Sequence, residues 1–142
     1  MSEQTSSGVM AGKRGLIMGV ANDRSIGWGI ASKLAEHGAE LAFTYRGEAL
    51  QKRVIPLAES VGSNLVLPCD VTDEASVDGV FDRLKFEWGE LDFVLHAIAY
   101  SDKEELKGGY VDTSRGNFQR TMDISVYSFT EITRKAAAMM ND

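Results

Sequence analysis

Residues 15–31, GLIMGVANDRSIGWGIA, combine a short apolar stretch, a turn of small residues and the start of an amphipathic helix. A strand that passes through such a turn into a helix presents free backbone N–H groups and the positive end of a helix dipole at one point. That point suits a phosphate, and in a β-α-β unit it suits the pyrophosphate of a dinucleotide. A glycine-containing loop without a ligand is the alternative, because glycine patterns of this kind also occur by chance.

The composition is that of an ordinary soluble globular protein of 142 residues, 44% hydrophobic and 25% charged. The net charge of −6 without a basic run argues against nucleic acid or an anionic membrane as a partner. No apolar run approaches the roughly 20 residues that span a bilayer. The polar, Ser-rich residues 1–12 are predicted to be a flexible tail rather than a signal peptide. The single Cys69 cannot form an internal disulfide, which fits a reducing, cytoplasmic location.

The rest of the chain alternates short apolar stretches with helical patterns. Strands are predicted at 16–18, 40–45, 65–67 and 91–96, helices at 27–37, 50–61, 73–88 and 115–140, and a polar loop at 101–114. Pro56 lies inside the second helix, where we expect a kink or a break. This alternation predicts an α/β fold over residues 13–142, a Rossmann-type doubly wound parallel sheet with strand order 3-2-1-4.

Ligands of such sheets bind outside the carboxyl ends of the strands. Arg46 follows the second strand, where it could stack on adenine, pair with the 2′-phosphate of NADP, or be a solvated surface arginine. Asp70 follows the third strand, where it could accept a hydrogen bond from the adenine amino group or cap a turn. After the fourth strand, the small Ala97 and Ala99 would let a cofactor lie against the backbone. His96 is interpreted as a hydrogen-bonded residue at the strand end rather than a catalytic base.

Several segments together resemble one known family. They are GVA at 19–21, SI at 25–26, GIA at 29–31, LAFTY at 41–45, CDV at 69–71, HAIA at 96–99 and ISVYSF at 124–129. From about Gly12 to its end, the chain resembles the amino-terminal half of the NADH-dependent bacterial enoyl-[acyl-carrier-protein] reductases, a divergent branch of the short-chain dehydrogenase/reductases. By this resemblance Gly29 holds the family's position at the helix start, and Gly27 is interpreted as a local extra glycine.

The resemblance implies an enzyme of type II fatty-acid synthesis that reduces the trans-2 double bond of enoyl thioesters by hydride transfer from NADH. It implies a homotetramer whose substrate is bound to acyl carrier protein, and no metal. The cofactor contacts it implies are Gly19, Ala21, Ser25, Ile26, Arg46, Asp70, Val71, Ala97, Ile98 and Ala99. The substrate contacts it implies are Tyr100 and Ser101.

This chain departs from the family pattern at two places. Ala97 and Ala99 stand where many members have serine and glycine, so any contact from that serine hydroxyl is missing. Arg46 stands where glutamine is common, which leaves NADPH (the cofactor NADP) as an alternative to NADH.

In this family a tyrosine stabilises the enolate and a lysine holds the cofactor ribose, in a Tyr-x6-Lys pair on the helix after the fifth strand. The resemblance places that strand and helix beyond residue 142. We therefore expect a sheet that is incomplete at its carboxyl end, assign no catalytic residue in this chain, and expect the 142 residues alone to be inactive. Tyr45 to Lys52 and Tyr100 to Lys107 have the same spacing, but neither pair lies on that helix, and we interpret both as coincidences.

Two alternatives remain. The first is a non-catalytic dinucleotide-binding fragment, which the missing fifth strand favours. The second is another short-chain reductase, such as a 3-oxoacyl reductase. An Asn-Asn-Ala-Gly type of motif is expected there at the end of the fourth strand, where this chain has His96 followed by Ala97, Ile98 and Ala99.

Overall fold

A computed structural model describes residues 8–141, in which four parallel strands form one sheet in the order β3-β2-β1-β4. The strands are β1 (Arg14–Met18), β2 (Glu40–Tyr45), β3 (Val66–Pro68) and β4 (Phe93–His96). The predicted strand order and the parallel sheet are therefore confirmed. Because the chain returns to β4 on the far side of β1, the strand order reverses between β1 and β4, which is where such sheets bind their ligands.

Helices cover both faces of the sheet. They are α1 (Ile26–Glu36), α2 (Glu48–Ser60), α3 (Glu74–Glu87), α4 (Arg115–Met122) and α5 (Ser128–Ala137), with two short 3-10 turns at Lys103–Leu106 and Tyr110–Asp112. The expected break at Pro56 is wrong, because α2 runs through it without interruption. Pro56 removes the donor to the carbonyl of Lys52, and both residues lie on the exposed face of α2, where that carbonyl is accessible to solvent.

The last predicted helix, 115–140, is also not one regular helix. A π-helical turn, Asp123–Tyr127, separates α4 from α5 without a break in the chain. Such a turn inserts one extra residue into the helical repeat, so the side chains that follow it are rotated relative to those before it. As a result Ile124 and Ser128 are buried, although the 3.6-residue period does not predict it.

Both faces of the sheet are buried, so alternate residues of β1 pack in two different apolar clusters. Leu16 and Met18 pack on the side of α3 and α5. Ile17, between them, packs on the side of α1 and α2 together with Phe43. This explains why β1 is continuously apolar instead of alternating with polar residues.

Of the predicted tail over 1–12, residues 1–7 lie outside the described residues. Residues 8–12 form a turn against the end of α1, where the Met10 N–H donates to the His37 carbonyl at 2.9 Å. This turn leads directly into β1. The amino-terminal side of the sheet, away from the carboxyl ends of the strands, is closed by these residues.

Candidate functional site

A cleft of about 270 Å³ lies at the carboxyl ends of the strands, where the strand order reverses. It is lined by the last two residues of β2 (Thr44, Tyr45), by residues that follow β1 (Gly19, Val20, Ala21), β2 (Arg46), β3 (Cys69, Asp70, Val71, Thr72) and β4 (Ala97, Ile98, Ala99, Tyr100), by Leu50 of α2 and by Ile124 of the π-helical turn. Nine of the residues singled out in the sequence therefore line one cleft: Gly19, Ala21, Arg46, Asp70, Val71, Ala97, Ile98, Ala99 and Tyr100.

Gly19 brings the turn after β1 against the segment after β4. Its φ angle of 100° is in the left-handed region, which favours glycine. A Cβ atom at this position would lie 2.0 Å from the Ala97 carbonyl oxygen, closer than any side chain permits. The Ala97 N–H also donates to the Met18 carbonyl at 2.9 Å. The floor of the cleft is therefore formed by two backbone segments in direct contact, and only glycine allows that contact.

Ser25 lies beside the cleft rather than in its lining. Its hydroxyl oxygen accepts from the N–H groups of Ala21 and Asn22, each at 3.0 Å. The turn after β1 is therefore held closed by a side chain, and these two N–H groups are not free, contrary to the expectation from the sequence. Ile26, which begins α1, is also outside the cleft lining and its side chain is 81% exposed.

The two glycines of α1 differ in their surroundings. Gly27 is buried and faces the sheet, and a Cβ atom there would lie at ordinary van der Waals distances, 3.4 Å from the Ala97 Cβ and 3.6 Å from Val20 Cγ2. Gly29 is exposed, with no atom within 4 Å of the position of its Cβ. The assignment of Gly29 to the family's helix start, with Gly27 as a local extra glycine, stays a prediction.

One end of the cleft carries an ion pair. Arg46 Nε lies 3.6 Å from Asp70 Oδ2, and both side chains reach solvent. The other carboxylate oxygen, Asp70 Oδ1, accepts from the Thr72 hydroxyl at 2.6 Å and from the Thr72 N–H at 2.9 Å. These hydrogen bonds hold the pKa of Asp70 below its usual range, and the positive charges of Arg46 and Arg120 lower it further. Asp70 is therefore a carboxylate at neutral pH, with one oxygen aimed at Arg46.

The opposite edge of the cleft is formed by residues 97–100 and closed by α4 and the π-helical turn. The Ser125 hydroxyl accepts from the Tyr100 N–H at 3.0 Å, and the Arg120 guanidinium stacks 4.8 Å from the centre of the Tyr100 ring. Ser101, predicted to contact substrate, lies outside this cleft. It borders a second cavity between the loop and α4, and its hydroxyl is 3.1 Å from Thr121 Oγ1.

His96 is a hydrogen-bonded residue at the strand end, as the sequence predicts. Its Nε2 lies 2.7 Å from the hydroxyl oxygen of Ser128, and that hydroxyl donates its single hydrogen to the Ile124 carbonyl. His96 Nε2 must therefore carry the proton and donate it to Ser128. Burial lowers the pKa of His96, which keeps the ring neutral. This histidine supports the π-helical turn and does not line the cleft.

Sequence reasoning missed Ile124, which is buried and lines the cleft from the π-helical turn. No signal in the helical periodicity points to it, because the extra residue of the turn changes which side chains face the sheet. Cys69 also lines the cleft, and burial raises the pKa of its thiol to about 11. It therefore contributes an apolar, unreactive wall.

Residues 8–141 contain no helix that is both long and apolar enough to cross a membrane. In the same part of the chain, no group of three or more His, Cys, Asp or Glu side chains is placed to hold a metal ion. The cleft instead has a carboxylate at one end, tightly packed backbone in the middle and apolar walls from Val71, Ile98 and Ile124. This arrangement suits an elongated ligand with a hydrogen-bonding base at one end and a flat, weakly polar ring at the other.

Comparison with known proteins agrees with this geometry. Residues 19–142 match the family model described as enoyl-(acyl carrier protein) reductase. The chain is 65% identical over 136 residues to enoyl-[acyl-carrier-protein] reductase [NADH] 2 of Rhizobium meliloti, a match that covers 96% of this chain and 51% of that protein. The chain spans about half the length of the curated relatives it matches.

Two solved structures share the fold closely. FabI from Candidatus Liberibacter asiaticus superposes with a TM-score of 0.92 at 56% identity, covering 93% of this chain and 51% of that one. The enoyl-(acyl-carrier-protein) reductase from Anaplasma phagocytophilum, solved in complex with NAD, superposes with a TM-score of 0.90 at 58% identity. That match covers 94% of this chain and 51% of the solved chain.

Proposed function

Because the chain belongs to the enoyl-(acyl carrier protein) reductase family, we propose that it supplies the dinucleotide-binding part of an enzyme that reduces enoyl thioesters. The substrate would be the trans-2-enoyl group carried by acyl carrier protein during fatty-acid synthesis, in the cytoplasm. When bound, NADH would supply a hydride to C3 of the enoyl group and become NAD, and a proton added at C2 would complete the reduction. No residue between 8 and 141 is assigned to stabilising the enolate that results.

The observation that carries this proposal is the close contact between Gly19 and Ala97 at the point where the strand order reverses. The space that a side chain at Gly19 would fill is taken by the Ala97 carbonyl, so the cleft floor is flat backbone. A pyrophosphate can approach such a floor closely, next to the start of α1. Ser25 and Ile26, at that helix start, would border the pyrophosphate and its ribose without lining the cleft itself.

The two ends of the cleft fit the two halves of the cofactor. Asp70 and Val71 would border adenine, because a carboxylate held ionised by Thr72 is a hydrogen-bond acceptor for an amino group. Ala97, Ile98 and Ala99 would border the nicotinamide half along an apolar edge. Tyr100 and Ser101 continue that edge toward the substrate, with Tyr100 in the cleft and Ser101 behind it.

NADH is the proposed cofactor, rather than NADPH, on the basis of the ion pair at the adenosine end. The Arg46 guanidinium is already paired with Asp70 at 3.6 Å, so it is only partly available to a 2′-phosphate. A 2′-phosphate would also lie near the negative charge of Asp70, which disfavours it. The ribose hydroxyls of NADH carry no such charge.

Self-association is proposed from an exposed apolar face on α4, the π-helical turn and α5, and the family resemblance implies that the assembly is a homotetramer. This face consists of Phe118, Met122, Val126, Tyr127 and Phe129, each between 43% and 55% exposed. Large apolar side chains at successive positions of one helical face are typical of subunit contacts. In a symmetric oligomer, a twofold contact is formed by the same face of two subunits.

The test is NADH oxidation by the purified protein, followed at 340 nm with a trans-2-enoyl thioester as substrate. Saturable NADH binding by residues 1–142 without turnover is the expected result, because no catalytic residue is assigned in this chain. Consumption of NADH that depends on the enoyl thioester is expected of a protein that also carries the Tyr-x6-Lys pair. A 3-oxoacyl thioester is the matched control substrate, and preferential turnover of it would make the chain part of a 3-oxoacyl reductase. Failure of the protein to bind NADH would contradict the proposal altogether.

A further inference from the structure

One face of α4 and the π-helical turn carries three polar side chains, which we call the polar row: Asn117, Thr121 and Ser125. They are spaced four residues apart, so they lie along one side of the helix. All three point at residues 100–102, the segment that continues from the cleft edge. The exposed apolar side chains Phe118, Met122 and Val126 lie on the neighbouring side.

The strongest contact of the row is between Ser125 and Tyr100. The Ser125 hydroxyl accepts from the Tyr100 N–H at 3.0 Å and lies 3.2 Å from the Tyr100 carbonyl oxygen, to which it donates. One hydroxyl therefore satisfies both backbone groups of the same residue. Such a pair of bonds determines the orientation of the peptide units on both sides of Tyr100.

The other two members of the row hold the next two residues. Asn117 Nδ2 donates to the Ser101 hydroxyl oxygen at 3.1 Å, and Asn117 Oδ1 accepts from the Asp102 N–H at 3.0 Å. Thr121 Oγ1 is 3.1 Å from the same Ser101 oxygen. Residues 100–102 are therefore hydrogen-bonded to side chains of α4 and the π-helical turn and not to a neighbouring strand.

The polar row is important because residues 100–102 lie beyond the end of β4 and are not part of the sheet. β4 ends at His96, and the bond from the Ala97 N–H to the Met18 carbonyl continues its pairing with β1 by one residue. Ile98, Ala99 and Tyr100 line the cleft beyond that point. Their position relative to Asp70 is held by the polar row, by the packing of Ile98 against the apolar core and by the stacking of Arg120 on Tyr100. The π-helical turn includes Ser125, and such turns are frequent at functional sites.

We propose that Ser125 is a positioning residue for the cofactor site, which holds the backbone of residues 98–100 where the nicotinamide half of the cofactor binds. The inference rests on the proposed function. It predicts an effect confined to one half of the cofactor, since the adenosine end is built from β2 and β3 and is untouched by Ser125.

The experiment compares the dissociation constants of NADH and ADP-ribose, measured by calorimetric titration of the purified protein. ADP-ribose contains the adenosine and pyrophosphate but lacks the nicotinamide. Ser125→Ala is expected to weaken NADH binding by about five- to tenfold, the effect of losing a hydrogen-bonded anchor. ADP-ribose binding is expected to stay within about twofold of wild type, because its contacts are unchanged. Ser125→Thr keeps the hydroxyl and is expected to restore NADH binding.

Two further variants complete the design. Ser60→Ala is the matched control, because Ser60 makes a single local bond to the Leu57 carbonyl on α2, and it is expected to change neither ligand. Ser125→Cys keeps the size of the side chain but forms weaker hydrogen bonds, and is expected to weaken NADH binding alone by about three- to fivefold, which tests the positioning role if Ser125→Ala does not fold.

The outcomes separate the two proposals. Equal weakening of NADH and ADP-ribose by Ser125→Ala, or no change in either, would overturn the positioning role. A wild-type protein that binds neither ligand would instead contradict the proposed function.

Discussion

The Arg46 guanidinium and the Asp70 carboxylate, from the ends of β2 and β3, form an ion pair with Nε and Oδ2 separated by 3.6 Å. Asp70 is held in place independently by Thr72, which donates two hydrogen bonds to its other oxygen. The Arg46 side chain is 57% exposed, against 35% for that of Asp70. The pair therefore joins a hydrogen-bonded carboxylate to a more exposed guanidinium at the adenosine end of the cleft. The preference for NADH over NADPH can therefore be tested by changing either residue.

Asp70→Asn is expected to shift the preference toward NADPH. The amide removes the charge that repels a 2′-phosphate and releases Arg46 to pair with it, so the ratio of the NADPH to the NADH dissociation constant should fall by about tenfold. Titration of both cofactors measures this ratio. In the double variant Asp70→Asn with Arg46→Gln, the gain should disappear, because no guanidinium remains. An unchanged ratio in Asp70→Asn would refute the role of the ion pair.

Gly19→Ala is expected to destabilise the protein severely. The new Cβ atom would lie 2.0 Å from the Ala97 carbonyl oxygen, at a φ angle of 100° that alanine adopts only with strain. We expect the free energy of unfolding to fall by at least about 3 kcal/mol, measured by denaturant titration.

Gly29→Ala is the matched control for that change. No atom lies within 4 Å of its Cβ position, and alanine is the better helix former, so stability should rise by about 0.5–1 kcal/mol. Equal losses in the two variants would show that the contact with Ala97 is not what requires glycine at Gly19.

His96 is expected to make stability depend on pH on the acid side of neutrality. Burial lowers its pKa in the folded protein from the ordinary 6.5, so the unfolded chain binds the proton more readily. This contribution to stability is complete above about pH 6.5 and is lost as the pH falls toward the lower folded-state pKa.

The measurement is the free energy of unfolding between about pH 5 and 8, a range that brackets the ordinary histidine pKa. His96→Gln keeps an N–H donor for Ser128 without titrating, so its profile should be flatter than that of wild type. His37→Gln, a change at an exposed histidine, leaves His96 in place and should retain the wild-type loss. Parallel profiles for wild type and His96→Gln would contradict this prediction.

Val126→Glu is expected to reduce the oligomeric state. Val126 lies in the middle of the exposed apolar face and is 50% exposed, so a carboxylate there would be buried without a partner on assembly. Light scattering coupled to size-exclusion chromatography measures the mass. Phe86→Glu, at an 85% exposed aromatic residue on α3, is the control and should leave the mass unchanged. A full-sized assembly in Val126→Glu would place the subunit contact elsewhere.

The fold could be predicted because its determinants repeat along the chain. Continuous apolar strands alternate with helical patterns, which requires a parallel sheet buried on both faces, as the packing of Leu16 and Ile17 in separate clusters confirms. The carboxyl ends of parallel strands meet at one edge, so residues that follow different strands, such as Arg46 and Asp70, were predicted to lie together. The residue types and the spacing of the apolar residues were sufficient to predict the sheet and the edge at which these residues meet.

Other features depend on contacts between distant segments, and the sequence contains no periodic signal for them. The π-helical turn includes Ile124, which lines the cleft although the regular helical period does not place it on the buried face. Gly27 faces the sheet because α1 approaches Ala97, a residue 70 positions later in the chain.

The amino-acid sequence by itself determined the strand order, the location of the cleft and the family, because each of these follows from local pattern and residue type. Only the tertiary structure decided which side chains reach the cleft and which hold its walls. Ser25 closes the turn, Asp70 pairs with Arg46, and Ser125 holds Tyr100. The pair Arg46–Asp70 and the pair Ser125–Tyr100 each join residues that are distant in the chain, so these contacts exist only once strands and helices have packed together.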